Sequence, residues 1–382
     1  ARTYRFKKGS GMPISIPVID MVEIGAGGGS LARVDAMRQI RVGPESAGSE
    51  PGPACYGLGG ERPAVTDADL VLGKLDPDNF AGGSIKLDGQ RAADALLDAL
   101  GKPLEMDALT AAYGLAEVVD ENMANAARVH AVENGEDLSE YTMIAFGGAA
   151  PLHAGRLCEK LGVERLLVPP GAGVGSAIGF LRAPFSFEAN RSVYMRLADF
   201  KPDTVQNLLA DLEAEATAFV RSCDANATIQ TEFKAYMRYT GQGEEIPIVL
   251  SADHATQPDA VKYQQLFEQD YIALFGRAVE GMDIEITVWS ANATTLAQKV
   301  EPMQTLAAGA RVPANGQRNI FDPALGQPVV SSIVPRSGLQ PADLVPGPAA
   351  ITEDETTIIL PTSRQAVRQS DGCIDVVRQG QE

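Results

Sequence analysis

The apolar and polar positions of this chain switch repeatedly between the two-residue period of a strand and the 3.6-residue period of a helix. Residues 3–6 alternate, residues 8–11 turn, and residues 14–24 resume an extended pattern that ends in Gly25-Ala26-Gly27-Gly28-Gly29-Ser30. Residues 31–35 and 39–42 then predict a hairpin of short strands. Residues 43–60 hold too much Gly and Pro for a regular element and predict a long loop. Residues 66–73 predict a capped helical turn, and residues 88–100 a short amphipathic helix. From Asp107 to Glu133, Leu109, Ala112, Tyr113, Ala116, Val119, Met123 and Ala126 recur at helical spacing, which predicts a long core helix.

A strand over residues 142–146 runs into Gly147-Gly148 and then a helix over residues 152–161 that carries His153. A strand over residues 164–168 is followed by another small-residue turn, residues 173–180, opening a helix. Strand, turn and helix in succession is an α/β signature, and in a doubly wound sheet a ligand lies where such turns converge. Past residues 184–200 the character changes. A helix over residues 201–219, a hairpin over 231–239 and 246–250, a helix over 258–275 and a strand over 283–294 lead to a tail of short strands. The expected division is therefore an α/β lobe over residues 1–195 and a β-rich α+β domain over residues 196–382.

Composition narrows the function classes. Fifty acidic against thirty-two basic residues give a formal charge of −18, which repels nucleic acid and anionic membrane surfaces. No stretch approaches the ~18 uninterrupted apolar residues of a membrane span, so a cytoplasmic protein is expected. The cysteines Cys55, Cys158, Cys223 and Cys373 form no CxxC pair, which argues against a zinc site or a disulfide framework.

Candidate chemistry gathers at the glycine turns. Runs of small residues leave backbone N–H groups free to approach phosphate oxygens, and a following helix N-terminus adds positive partial charge. Neither run fits a P-loop or a dinucleotide fingerprint, and taken alone such a run is more often a tight structural corner than a ligand cradle. Cys55 has no histidine close in sequence to activate it and reads as structural. Asp67 and Asp69 are either N-cap residues or cleft carboxylates. His130 reads as a packed or helix-end residue, and His254 as a loop residue with no evident partner.

The residues Ile24-Gly25-Ala26-Gly27-Gly28-Gly29-Ser30, Arg41-Val42-Gly43-Pro44-Glu45-Ser46-Ala47-Gly48, Pro51-Gly52-Pro53-Ala54-Cys55-Tyr56-Gly57, Thr66-Asp67-Ala68-Asp69-Leu70-Val71-Leu72-Gly73 and Ala145-Phe146-Gly147-Gly148 through His153 resemble the hydantoinase A/5-oxoprolinase family. Arg238-Tyr239-Thr240-Gly241-Gln242 and Gly347-Pro348-Ala349-Ala350-Ile351 extend the resemblance into the second half. That family includes ATP-dependent hydantoinases, 5-oxoprolinases, caprolactamase and the beta-type subunits of ketone carboxylases. The resemblance implies an actin-like ATPase lobe of the sugar-kinase/Hsp70 type, in which ATP with Mg²⁺ phosphorylates an amide or enolate oxygen. It places Gly147 and Gly148 facing the nucleotide and Gly25, Gly27, Gly28, Gly29 and Ser30 lining the same cleft. His153 holds the family's Pro-Leu-His position and is the candidate catalytic residue.

The chain departs from the family pattern in lacking the Asp-containing glycine-rich motif and the Asp-Gly-Gly-Thr-like motif that precede these segments, and in having Ala150 where members have Gly. It therefore reads as the C-terminal portion of a longer subunit, with the Mg²⁺ ligands on a missing segment or a separate chain. The expected function is the ATP-binding part of a cyclic-amide hydrolase acting on a hydantoin, 5-oxoproline or a lactam, with a hydantoinase B type partner. A ketone carboxylase subunit is the alternative, and a non-catalytic assembly module a third.

Overall fold

Capping explains where several helices begin. Asp88 accepts from the backbone N–H groups of Gln90 and Arg91, Asp107 from Thr110, and Asp259 from Lys262, each at the first turn of a helix. The structure is a computed structural model that describes residues 21–296 and 302–380. Its elements in chain order are β1 (Ser30–Val34), β2 (Ile40–Ser46), α1 (Val65–Val71), α2 (Gly89–Leu96), α3 (Lys102–Leu104), α4 (Ala108–Asn134), β3 (Thr142–Ile144), α5 (Ala150–Leu161), β4 (Arg165–Val168), α6 (Gly175–Arg182), β5 (Ser186–Arg191), β6 (Met195–Arg196), α7 (Pro202–Cys223), β7 (Ile229–Tyr239), β8 (Ile246–Leu250), α8 (Ala252–Thr256), α9 (Ala260–Phe275), β9 (Ile284–Thr295), β10 (Gly316–Asp322), β11 (Gln327–Pro335), β12 (Leu344–Pro346), β13 (Ala349–Thr352), β14 (Thr357–Leu360), β15 (Arg364–Arg368) and β16 (Ile374–Arg378). The strand expected over residues 3–6, the turn over 8–11 and the start of the extended segment from residue 14 lie outside the described residues.

The chain divides into two compact units, residues 1–178 with 303–382, and residues 179–302. This differs from a cut at residue 195, because strands of the tail pair with strands of the first lobe. One sheet runs β12-β15-β16-β4-β3, with β3 and β4 parallel and β16 antiparallel to β4. A second sheet runs β10-β11-β13-β14, and β1 pairs with β2 as the hairpin expected. The sheet is thus mixed rather than the parallel doubly wound type. Two buried arginines fasten β4 to the tail. Arg364 donates to the carbonyls of Val163 and Glu164 at 2.7 and 2.9 Å, and Arg336 to those of Val168 and Gly372 at 3.0 and 2.7 Å.

The other unit is α+β. Its antiparallel sheet has the order β5-β9-β7-β8, with β6 pairing β9. Phe233, Ala235, Met237 and Tyr239 on β7 alternate into a core shared with Leu209 and Leu212 of α7, Phe267 of α9 and Trp289 of β9. His254, expected in a loop without a partner, sits in α8, where its Nδ1 lies 2.9 Å from the Oγ of Ser251. No helix among the described residues is long and apolar enough to cross a membrane.

The long helix α4 matches its expected limits, but its buried face is turned slightly. Ala111, Ala112, Leu115, Ala116, Val119, Asp120, Ala124 and Ala131 are buried, whereas Leu109, Tyr113 and Met123 only pack on the edge of the core. The surprise on that face is Asp120. The short helix expected over residues 88–100 ends as α2 at Leu96 and continues through a wider π-type turn, Leu97–Gly101.

Asp67 resolves as a structural carboxylate. It is fully buried, and it accepts from the backbone N–H groups of Cys55 and Ala64, each at 2.7 Å, and of Ala54 at 3.2 Å, tying the Pro/Gly loop to the start of α1. Cys55 lies beneath this contact, and burial pushes its thiol far up, which suits packing rather than nucleophilic attack. Replacing Asp67 by alanine would leave these donors buried and unpaired. The expected loss is about 2–4 kcal/mol, read as a shift of the urea midpoint at unchanged slope. An unshifted midpoint would refute the role.

Candidate active site

The first glycine turn is built so that its carbonyls are used while the N–H groups of Gly28 and Gly29 are spared. Thr66, at the start of α1, donates from both its backbone N–H (2.8 Å) and its Oγ1 (2.9 Å) to the carbonyl of Gly28. Ala47 donates to the carbonyl of Gly29 at 2.8 Å, and the Oγ of Ser30 accepts from the N–H of Gly27 at 2.9 Å. The N–H groups of Gly28 and Gly29 find no acceptor among the described residues. Glycine is required close by: a Cβ on Gly43, at φ +67°, would lie 2.3 Å from the carbonyl oxygen of Gly25.

The turn after β3 lies against it. A Cβ on Gly28 would stand 4.0 Å from that of Ala149. Gly147, at φ +109°, donates to the carbonyl of Ala172 at 2.7 Å, and the carbonyl of Gly148 accepts from Thr356 Oγ1 at 2.9 Å. The third turn joins through Gly175, where a Cβ would press 3.1 Å from the ring of Phe146. The small-residue turns expected to converge therefore do so, and α5 starts at their junction.

Behind them lies a buried charge cluster. His153, in the first turn of α5, has Nδ1 2.8 Å from Asp120 Oδ1 on α4 and Nε2 3.1 Å from Asp69 Oδ2 on α1. Lys74 Nζ donates to the other oxygen of Asp69 at 2.9 Å. His153, Asp69 and Asp120 are 2–3% exposed and Lys74 is 5% exposed, so solvent screens none of these interactions. Burial alone would disfavour an imidazolium, but the Asp69 charge and the hydrogen bonds the ring donates to both carboxylates outweigh it and push His153 up to about 9. Asp69 is desolvated too, yet His153 and Lys74 hold it well below the usual carboxylate range. A doubly protonated ring donates from both nitrogens, which a neutral imidazole cannot do. Outside the cluster, Glu117 of α4 meets Arg156 and Lys160 of α5 at 3.0 and 2.9 Å.

The cluster and the first glycine turn share one helix. Thr66 and Asp69 are three residues apart on α1; one holds Gly28 and the other holds the helix that begins just after Gly148. Lys74 and Asp120 were not singled out from the sequence. The readable signal was an acidic residue within an Ala/Val stripe, Ala116-Glu117-Val118-Val119-Asp120. Gly25 and Gly27 sit at the exposed side of the turn, Ser30 is buried beneath it, and His153 has no free nitrogen.

Comparison with known proteins gives this arrangement its context. The hydantoinase/oxoprolinase profile matches residues 2–189, and the profile of the hydantoinase/oxoprolinase C-terminal domain matches residues 199–371. Caprolactamase subunit alpha of Pseudomonas jessenii is 32% identical over 359 residues, covering 91% of this chain and 51% of that protein. The acetone carboxylase beta subunit of Xanthobacter autotrophicus is 29% identical over 370 residues, covering 91% and 50%. Solved structures give the same picture. The ATP-dependent caprolactamase of P. jessenii superposes with a TM-score of 0.76 at 28% identity, and nucleotide-free acetone carboxylase with 0.76 at 27%, each covering 96% of this chain and 54% of the other. The chain spans about half the length of the relatives it matches. It belongs to the hydantoinase/oxoprolinase family.

Proposed function

We propose that this chain forms part of the ATP-binding subunit of an ATP-dependent cyclic-amide hydrolase, with an actin-like lobe around the converging glycine turns. The observation that carries the reading is that convergence, with N–H groups of Gly28 and Gly29 left free in a family whose named members are ATP-dependent. ATP supplies a phosphoryl group that turns an amide oxygen into a leaving group. The chain's own part is positioning. Gly28, Gly29 and Gly148 offer backbone N–H groups to phosphate oxygens, Gly27 and Gly147 shape the turns with their own N–H groups bonded within the protein, and the start of α5 adds partial positive charge. His153, with Asp69, Lys74 and Asp120, keeps α5 in register with α1, so that the two turns face one site; it acts as a positioning residue rather than a proton donor to substrate.

Mg²⁺ is not provided for in the same way. Among the described residues no group of three or more His, Cys, Asp or Glu is placed to hold a metal ion. The further carboxylates expected for it, and a hydantoinase B type partner for hydrolysis, are proposed to come from other polypeptide. The superposition on acetone carboxylase with the same TM-score supports a second reading, phosphorylation of an enolate ahead of carboxylation.

Phosphate release by the native assembly decides between these. Stimulation of ATP hydrolysis by hydantoin, 5-oxoproline or a lactam is expected. Stimulation only by a ketone with bicarbonate would replace the first reading with the second, and no stimulation by any of them would refute both.

A further inference from the structure

The motif Arg238-Tyr239-Thr240-Gly241-Gln242 has no part in the proposed function, and it lies in the α+β unit, where β7 ends and turns toward β8. Tyr239 points into the core, with the rings of Phe267 and Tyr271 edge-on to it at centroid distances of 4.9 Å. Gln242 closes the turn. Its backbone N–H donates to the carbonyl of Tyr239 at 3.0 Å, and its side-chain Nε2 to the hydroxyl of Tyr271 at 2.8 Å. Between this hairpin and α9 lies a cleft of about 270 Å³, with the buried Met237 and Ile246 as its floor and Tyr271 and Phe275, one helical turn apart on α9, as a wall.

One cation and one carboxylate line the cleft, Arg238 and Glu244, and the cation is already matched. Arg238 donates from Nε to Glu285 at 2.6 Å, and its Nη1 lies 3.5 Å from Glu245. Glu285 also accepts from the hydroxyl of Tyr194 at 2.9 Å. Glu244 is exposed and has no ion-pair partner among the described residues. One positive charge therefore stands among three negative ones, and α9 ends at Phe275, where a helix C-terminus adds negative partial charge. The ring of Phe275 is 54% exposed and packs at 4.5 Å from that of Tyr271, so an open aromatic face and an uncommitted carboxylate line the same small cleft.

We propose that this cleft binds a primary alkylammonium group, with the charge between the Glu244 carboxylate and the ring of Phe275 and the alkyl chain along Met237 and Ile246. A cation is favoured by the aromatic face and by a charge-assisted hydrogen bond to the carboxylate. An anion would meet Glu244 and the helix C-terminus, with Arg238 already committed to its glutamates. The volume lies just below the ~300–1,000 Å³ of pockets for drug-sized ligands, which suits a short chain with one charged end. Such a group has two sources, a free amine like the one that opening a lactam ring releases, or a lysine side chain of another polypeptide. The assignment does not depend on ATP use, because no residue of the glycine turns takes part in it.

The test is a ligand-observed NMR titration of the native protein at low ionic strength with pentylamine, its uncharged and anionic counterparts pentanol and pentanoate, and Nα-acetyl-lysine methylamide. Pentylamine is expected to bind at least about tenfold more tightly than pentanol, and pentanoate more weakly than either. Glu244→Gln and Phe275→Ala are each expected to weaken pentylamine about fivefold. Both side chains are exposed, and melting curves check that the variants keep their fold. Asp211→Asn, which removes an exposed carboxylate of α7 outside the cleft, is expected to change nothing, and so separates the cleft from general attraction to a chain of charge −18. Tighter binding of the lysine derivative than of pentylamine assigns the site to a side chain of another polypeptide, and the reverse order to a free amine. Equal binding of pentanol and pentylamine, equal losses in Glu244→Gln and Asp211→Asn, or no binding of either amine would overturn the proposal.

Discussion

Replacing His153 by alanine is expected to destabilise the unit that contains it by about 3–5 kcal/mol, the cost of removing one partner from a buried ionic group. On a domain of this size that lowers the melting midpoint on the order of 10 °C. The reason is charge balance. With the imidazolium gone, Asp69 and Asp120 remain buried with only Lys74 opposite them, and a cavity replaces the ring that joined α1, α4 and α5. A second variant isolates the electrostatic part. His153→Met with Asp120→Leu removes one charge of each sign and leaves the Lys74–Asp69 pair, so it is expected to melt above His153→Met alone. Scanning calorimetry of the two decides the point. If the double variant melts lower by the sum of the single losses, the cluster is not an electrostatic unit.

The same change is expected to weaken nucleotide binding, because α1 carries both Thr66, which holds Gly28, and Asp69, which holds His153. The elements of this site were largely legible in the sequence, and their assembly was not. Period and composition located α1, α4, α5 and the turns between them, since those signals are local. His153 was readable as a special residue only through its motif. That it would face Asp120, thirty-three positions earlier, and Asp69, eighty-four earlier, depends on which face of α4 turns inward, and a rotation of one position on an alanine-rich helix leaves little trace in its hydropathy. The tail fails to read for another reason. β16 was recognisable as a strand, but its pairing with β4 closes a loop of about two hundred residues, with a complete α+β unit of its own between them. Periodicity carries no information about pairing across such a distance. Asp67 shows the opposite case: the aspartate was noticed, and its use was settled by donors in a loop too irregular to place from sequence.

Stability is also expected to depend on pH in a way that identifies the cluster. His153 is raised from an ordinary value of 6.5 to about 9, so the folded state binds its proton more tightly than the unfolded chain does. Its contribution is therefore complete below about pH 6.5 and is lost as pH rises through 9; the shift corresponds to about 3 kcal/mol. Asp69 acts with the opposite sign. Held below its ordinary range by His153 and Lys74, it contributes stability above about pH 4 that is lost as pH falls through its depressed value. Lys74, raised by Asp69 against the cost of burial, keeps its proton throughout the neutral range. Glu117, the next carboxylate facing the cluster from α4, is held below its ordinary value by Arg156 and Lys160 and stays ionised there. Two buried thiols bend the curve in the same direction as His153, but only at the alkaline end: Cys158, pushed up by burial to about 11, and Cys55. The expected profile is a plateau near pH 5–6.5 and a decline toward pH 9 that begins before any thiol titrates. Urea midpoints measured from pH 5 to 9.5 on the native protein and on His153→Gln separate the contributions. A glutamine cannot gain a second proton, so the decline between pH 6.5 and 8.5 should vanish in that variant while any bend above pH 9 persists. A decline of the same depth in both proteins would show that His153 is not charged between its carboxylates, and the strut between the two glycine turns would then have to be held by packing alone.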